Sequence, residues 1–247
     1  MRILTVNDDG IDAVGLRILT ETLAEKHDVV TVAPESERSA FSHSISIHND
    51  IHVRRTDKYS EAYSISGTPA DCVKLGVLHL FRDAPPQLVV SGINNGSNLG
   101  SDVMYSGTVS AALEAAYLGI RGISVSLSER DCSEEYYVRA ARLVADRLDE
   151  FVSLKLPVST VLNVNYPCSA PFVGIRSAKI GLNVYDDVYV DAGGEYVRII
   201  GHPIPHEMND PDCDVELIKQ GYATVSPIST DRNDYASLEV LRRSGIC

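Results

Sequence analysis

Two adjacent carboxylates, Asp8 and Asp9, close an apolar run in "ILTVNDDG". Neighbouring Asp side chains repel, and a charge at the edge of a core is costly unless an opposite charge answers it. Ser39 in "ESERSA" and Asn94 in "SGINNGSNLG" each follow another strand-like run. Asp-Gly and Asn-Gly pairs are turn formers, but a turn alone explains less when all of these residues follow strand ends. Together they offer two carboxylates, a hydroxyl and an amide carbonyl, without His or Cys. Hard oxygen donors of this kind suit Mg²⁺ or Mn²⁺ rather than zinc, so one divalent ion is the expected cofactor. Ser106, Gly107 and Thr108 open a second constellation, "SGTVSAALEAAYLGI", whose pattern is helical. Free N–H groups at a helix start favour an anion, and plain N-capping by Ser106 or Thr108 accounts for the same residues. Arg38 is either a surface charge or a guanidinium suited to phosphate beside the ion. Neither G-x-G-x-x-G after the first strand nor G-x-x-x-x-G-K-[ST] occurs, which disfavours a dinucleotide enzyme or a P-loop NTPase.

These residues need a scaffold. "ILTV", "DVVTVAP", "PQLVVSG", "RGISVSL" and "TVLNVNY" read as strands. Between them, "VGLRILTETLA", a segment starting at "SGTPADCVKLG", the segment after Ser106 and "EEYYVRAARLVADRLDEFV" read as helices. Thr68, Pro69 and Asp71 form a capping box with Pro at the first helical position. Strand and helix in alternation predict an α/β fold with a mostly parallel sheet covered on both faces. Ligands of such sheets bind at the carboxyl ends of the strands. Toward the end, Ala192-Gly193-Gly194 between two β-rich runs signals a hairpin. It is either a subunit contact or packed on its own domain. "ELIKQGYATVSPIS" is expected to end the fold with a short helix and a strand. The whole chain, 1–247, is expected to form a single domain, with 180–210 as the hairpin and oligomerisation element.

With 247 residues and 44% hydrophobic content, a substantial core is possible. A net charge of -12 and a pI near 5.0 argue against a polynucleotide surface. A small anion can still bind locally. The five cysteines (Cys72, Cys132, Cys168, Cys213, Cys247) are scattered without C-x-x-C spacing and read as reduced thiols. No basic leader and no apolar run of membrane-spanning length is visible, so a cytoplasmic protein without membrane contact is expected.

"NDDG", "VAPESERSA", "HSIS", "SGTPADCVKLG", "VVSGINNGSNLG", "YSGTVSAALEA" and "GYATVSPI" together resemble the SurE family, metal-dependent phosphatases acting on nucleoside monophosphates. The resemblance implies a Rossmann-like doubly wound core and hydrolysis of 5′- and often 3′-nucleotides. It also implies homodimers or homotetramers joined through exchanged C-terminal elements. The family's metal ligands map onto Asp8, Asp9, Ser39 and Asn94. Asn98 and the Ser106-Gly107-Thr108 helix start map onto the phosphate side, with Asp8, Asn94 and Ser106 as catalytic residues. Ser97, Phe41 and Ser42 depart from the family's usual residues without touching a ligand position. The expected reaction is attack of water at phosphorus beside the ion. A β-branched residue at Gly107 is expected to crowd the anion rather than the ion. An aspartyl-phosphate at Asp8 ranks second, because such enzymes usually separate two Asp by one residue. A nucleotide-binding sensor without turnover is the alternative of a different class.

Overall fold

The computed structural model describes residues 1–205 and 208–245. Its strands are β1 (Arg2–Val6), β2 (Asp28–Pro34), β3 (Val53–Thr56), β4 (Ala62–Ile65), β5 (Leu88–Asn94), β6 (Arg121–Leu127), β7 (Thr160–Tyr166), β8 (Gly174–Ser177), β9 (Val188–Gly193), β10 (Tyr196–Ile200) and β11 (Tyr222–Ser229). The helices are α1 (Val14–Ala24), α2 (Pro69–Leu75), α3 (Gly107–Tyr117), α4 (Glu134–Ser153), α5 (Asp214–Lys219) and α6 (Tyr235–Arg243).

One sheet takes the order β3-β4-β2-β1-β5-β6-β7-β11-β8. It is parallel from β4 to β7, as the alternation predicts, with Leu4 opposite Val30 on one side and Val89 on the other. Only the β3–β4 and β7–β11 pairs are antiparallel. Along β1 the side chains alternate between two cores, since successive residues of a strand face opposite sides. Ile3 packs with Leu19, Val90, Val125 and Leu148 beneath α1 and α4. Leu4 and Val6 pack with Val32, Val73 and Ala111 beneath α2 and α3. Covered on both faces, these strands need no polar alternation, which is why they read as apolar runs.

The capping box forms as expected: the Asp71 N–H donates to Thr68 Oγ1 at 3.2 Å, and the Thr68 N–H to Asp71 Oδ2 at 2.9 Å. α2 then gives way to a π-helical turn over Gly76–Leu80.

Three features differ from the sequence expectation. β3 and β4 extend the sheet ahead of the Thr68 helix start, where no strand was expected, because "VRRT" is a charged edge strand without an apolar face. β8 is a short outer strand held by β11. β11 does not end the fold: α6 follows it, capped by Asp234, with no buried side chain to announce it.

The hairpin is present. β9 and β10 pair with each other, Arg198 opposite Val190, as a separate two-stranded sheet with every residue exposed. Gly193 and Gly194 at its tip have φ of +94° and +63°, which favours glycine. Cys72, Cys132, Cys168 and Cys213 are free thiols, and Cys247 lies outside the described residues. Among the described residues, no helix is long and apolar enough to cross a membrane.

Candidate active site

From β1 the chain runs outward to β2 and β4, and β5 returns on the other side of β1. The crevice between the carboxyl ends of β1 and β5 is therefore the topological switch point, where doubly wound folds bind ligands. Asn7, wholly buried, shapes the turn there: its Nδ2 donates to the Gly10 carbonyl at 2.9 Å, and the Gly10 N–H donates to its Oδ1 at 3.2 Å. That turn presents Asp8 and Asp9 to a cavity of about 790 Å³. Ser39, Asn94, Asn98 and Ser106 line the same cavity, so loops after β1, β2 and β5 converge as the strand-end rule expects. Gly107 and Thr108 lie behind Asp8 and do not line it.

Asp8 is 4% exposed. Burial raises its pKa, opposed by the Thr108 hydroxyl, which donates to Oδ1, and by backbone N–H groups including that of Thr108. The start of α3 thus meets an anion, and that anion is the protein's own Asp8. Thr108 has spent both its groups on this carboxylate. Asp9 accepts the Asn95 N–H on Oδ2 at 3.1 Å, and its pKa is pushed up to about 6, first by burial and then by the charge of Asp8. Neither carboxylate has an ion-pair partner among the described residues. A buried and a half-buried carboxylate, adjacent and both with raised pKa values, fit a hard cation as the missing partner. No group of three or more His, Cys, Asp or Glu is gathered for a metal among the described residues. An ion here would therefore rely on neutral oxygens beside the two Asp.

Those oxygens are available. The Asn94 Nδ2 donates to the Gly96 carbonyl at 2.8 Å, which leaves Oδ1 as the open end of the amide. Ser39 Oγ donates to Glu37 Oε1 at 2.5 Å and keeps its lone pairs. Asn98 is more committed: its Nδ2 donates to Ser126 Oγ at 2.7 Å, and its backbone is held by Asn163 and Asn165 of β7. Ser106 is the N-cap of α3, accepting the Val109 N–H at 3.1 Å, so its hydroxyl proton remains free to donate. With Thr108 turned to Asp8, and Val109 and Ser110 bonded to Ser106, Gly107 carries the amide of the first turn that has no partner among the described residues.

Gly107 corrects one expectation. A Cβ there would sit 3.0 Å from both Cβ and Oδ2 of Asp8 and 3.1 Å from Pro69 Cγ. The glycine lets α3 approach Asp8 closely, so Gly107→Val would displace the carboxylate itself and cannot probe the anion alone. Arg38 is also differently employed. Its guanidinium donates to the Ser66 carbonyl at 3.0 Å and lies over Phe41, while its backbone N–H holds the Asp8 carbonyl at 2.7 Å.

Four further residues belong to the cavity. Glu37 adds a third negative charge that raises both Asp pKa values. Asn95 joins three loops, bonding Asp9 through its N–H and Asp131 through its side chain. Arg130, after β6, lines the cavity and lowers the pKa of Asp9. Applying the strand-end rule to β6 as well would have found it. Tyr185, at the foot of the hairpin, donates to Asp102 Oδ2 at 2.5 Å and lines the rim; no local signal announces that contact.

The fold and site define a doubly wound α/β protein with an oxygen-rich, acidic ligand site at its switch point. The family described as Survival protein SurE matches residues 3–187, and this chain belongs to the SurE family. The 5′-nucleotidase SurE of Pelotomaculum thermopropionicum is 41% identical over 98% of this chain and 95% of its own length. That of Alkaliphilus metalliredigens is 39% identical over 98% of each. The crystal structure of the SurE protein from Aquifex aeolicus superimposes with a TM-score of 0.85 at 31% identity, covering 99% of this chain and all of that one.

Proposed function

We propose that this chain is a divalent-metal-dependent phosphohydrolase that releases phosphate from nucleoside 5′-monophosphates, and from 3′-monophosphates as well. The observation that carries the reading is the unpaired Asp8–Asp9 couple facing the switch-point cavity, in a chain 41% identical along nearly its whole length to a 5′-nucleotidase. Asp8, Asp9, Ser39 and Asn94 would hold the ion, Mg²⁺ or Mn²⁺. When bound, such an ion polarises a phosphoryl oxygen and makes a water more acidic, which readies it for attack at phosphorus. The chain's own groups do the rest. The Arg130 guanidinium and the Ser106 hydroxyl, both on the cavity wall, can meet charge on the phosphate oxygens. Asn98 is fixed by β6 and β7 at the phosphate side. Tyr105 and Tyr185 at the rim offer ring faces to a nucleobase.

The test is a panel of 5′- and 3′-monophosphates assayed for phosphate release with Mg²⁺, Mn²⁺ and a chelator. Release that the chelator abolishes supports the reading, whereas nucleotide binding without release makes the chain a sensor. Ser39→Ala should lose about 1 kcal/mol of metal affinity, a roughly fivefold rise in the Mn²⁺ needed for half-activation, with the rate recovered at high Mn²⁺. A rate that added Mn²⁺ leaves unchanged removes Ser39 from the ligand set.

We further propose a homo-oligomer, dimer or tetramer, with the exposed hairpin as a contact. The Asp186 N–H donates to the His202 carbonyl at 3.2 Å, so the two ends of the hairpin are close enough to be joined by a short glycine linker. Removing residues 187–201 in this way should lower the assembly mass in light scattering while β11 and the main sheet stay whole. An unchanged mass sinks the hairpin as a contact.

A further inference from the structure

Cys132 and Cys168 are distant in the chain and neighbours in space. β6 and β7 run parallel in register, Leu127 opposite Tyr166, and the chains beyond them stay together. The Ser128 N–H donates to the Tyr166 carbonyl at 2.8 Å, and the Cys168 N–H to Ser128 Oγ at 2.8 Å. The loop after β6 then folds back, with Cys132 Sγ 3.3 Å from the Glu129 carbonyl. This brings the two half-buried thiols close enough for their side chains to act on one another. Cys168 also faces a separate open cavity of about 240 Å³, lined by Tyr136, Arg139 and Phe172, through which a small reagent can reach it. Cys72 and Cys213 are buried away from any such opening.

We propose that Cys132 and Cys168 form a reversible intramolecular disulfide, with a small-molecule disulfide as oxidant, that restrains the active-site loop after β6. The chemistry takes two exchanges. Cys168 sulfur attacks one sulfur of oxidised glutathione, breaking its S–S bond and forming a mixed disulfide as one glutathione leaves and takes up the Cys168 proton. Cys132 sulfur then attacks Cys168 sulfur and expels the second glutathione, which takes the Cys132 proton. Two protein thiols are oxidised to one disulfide, and one glutathione disulfide is reduced to two thiols. Burial and the nearby Cys168 hold the Cys132 thiol protonated, its pKa pushed up to about 12, which leaves Cys168, on the wall of the small cavity, as the first attacker.

The bond matters because the same loop reaches the active site. Arg130 lines the main cavity, and the Asp131 N–H donates at 2.8 Å to Oδ1 of Asn95, the residue whose own N–H bonds Asp9. Tying Cys132 to the end of β7 restrains both. This consequence rests on the nucleotidase reading, while formation of the bond does not.

The experiment treats the full native chain with oxidised glutathione, blocks remaining thiols with an alkylating agent, and maps peptides by mass spectrometry. The expected product is one chain lacking two protons, with the 132 and 168 peptides joined and Cys72 and Cys213 alkylated only after unfolding. Cys132→Ser should stop at the glutathione adduct on Cys168. A persistent adduct on wild-type Cys168, links only between chains, or no reaction at all overturns the proposal. In parallel, the KM for a nucleoside monophosphate should shift by roughly two- to tenfold on oxidation and return with reductant, and Cys132→Ser should show no such shift. A mapped disulfide with unchanged kcat and KM overturns the restraint on the loop. Absence of phosphate release from the reduced chain refutes the nucleotidase reading and leaves the mapped bond standing.

Discussion

Asp8→Asn leaves the chain folded and removes phosphate release, by on the order of 1000-fold, the upper end of what losing one preorganised charge-stabilising group costs. The amide is nearly isosteric, and its Oδ1 can still accept the Thr108 hydroxyl and N–H, so the turn built by Asn7 and the approach of Gly107 survive. What disappears is half of the negative charge that holds a cation. The loss should not be recovered by Mn²⁺, in contrast to Ser39→Ala, whose neutral oxygen contributes far less. Steady-state phosphate release against Mn²⁺, with circular dichroism as the folding control, decides it. Activity near wild type, or an unfolded variant, means that Asp8 is not the ligand proposed.

The second large effect is on stability, and its sign depends on pH. In the metal-free chain the pKa of Asp9 is raised from 3.8 to about 6. A carboxyl group that binds its proton more tightly when folded stabilises the protein at low pH, and this contribution is lost as pH rises between the two values. Roughly two pK units at 1.36 kcal/mol each amount to about 3 kcal/mol lost between about pH 4 and pH 6. Asp8 shifts in the same direction. Without metal at pH 8, Asp9→Asn should therefore melt above wild type, by roughly 6–12 °C for a chain of this size. At pH 4 the two should coincide. Saturating Mn²⁺ at pH 8 should reverse the order, because only the wild type keeps both carboxylates for the ion. A metal-free wild type that is the more stable of the two at pH 8 contradicts the strained couple. Comparing the two proteins cancels the groups that behave oppositely, such as Glu114, whose pKa His43 and Lys74 lower.

Much of the scaffold was legible because its causes are local. β6 and β7 coincide with "RGISVSL" and "TVLNVNY", and α1 with "VGLRILTETLA", since a strand buried on both faces is an unbroken run and burial in a helix repeats every three or four residues. The start of α2 could be read from Thr68, Pro69 and Asp71, which satisfy one another within a single turn. β3, β8 and α6 were illegible for the opposite reason. They are short or solvent-facing, and an element that buries little leaves no periodic trace.

The sequence by itself determined that strand-end loops would present carboxylate, hydroxyl and amide oxygens to one edge of a mostly parallel sheet. That follows from local patterning and from the rule that such sheets bind ligands at strand carboxyl ends. Only the tertiary structure decided what those groups do to one another. Thr108, 100 residues from Asp8, turns its hydroxyl to that carboxylate rather than to a ligand. Arg130 arrives from the loop after β6, Tyr185 reaches Asp102 from the foot of the hairpin, and Cys168 meets Cys132 across neighbouring strands. Such contacts depend on strand order and on how closely a helix such as α3 can approach. Both are set by packing of the whole chain, which no short stretch of sequence encodes.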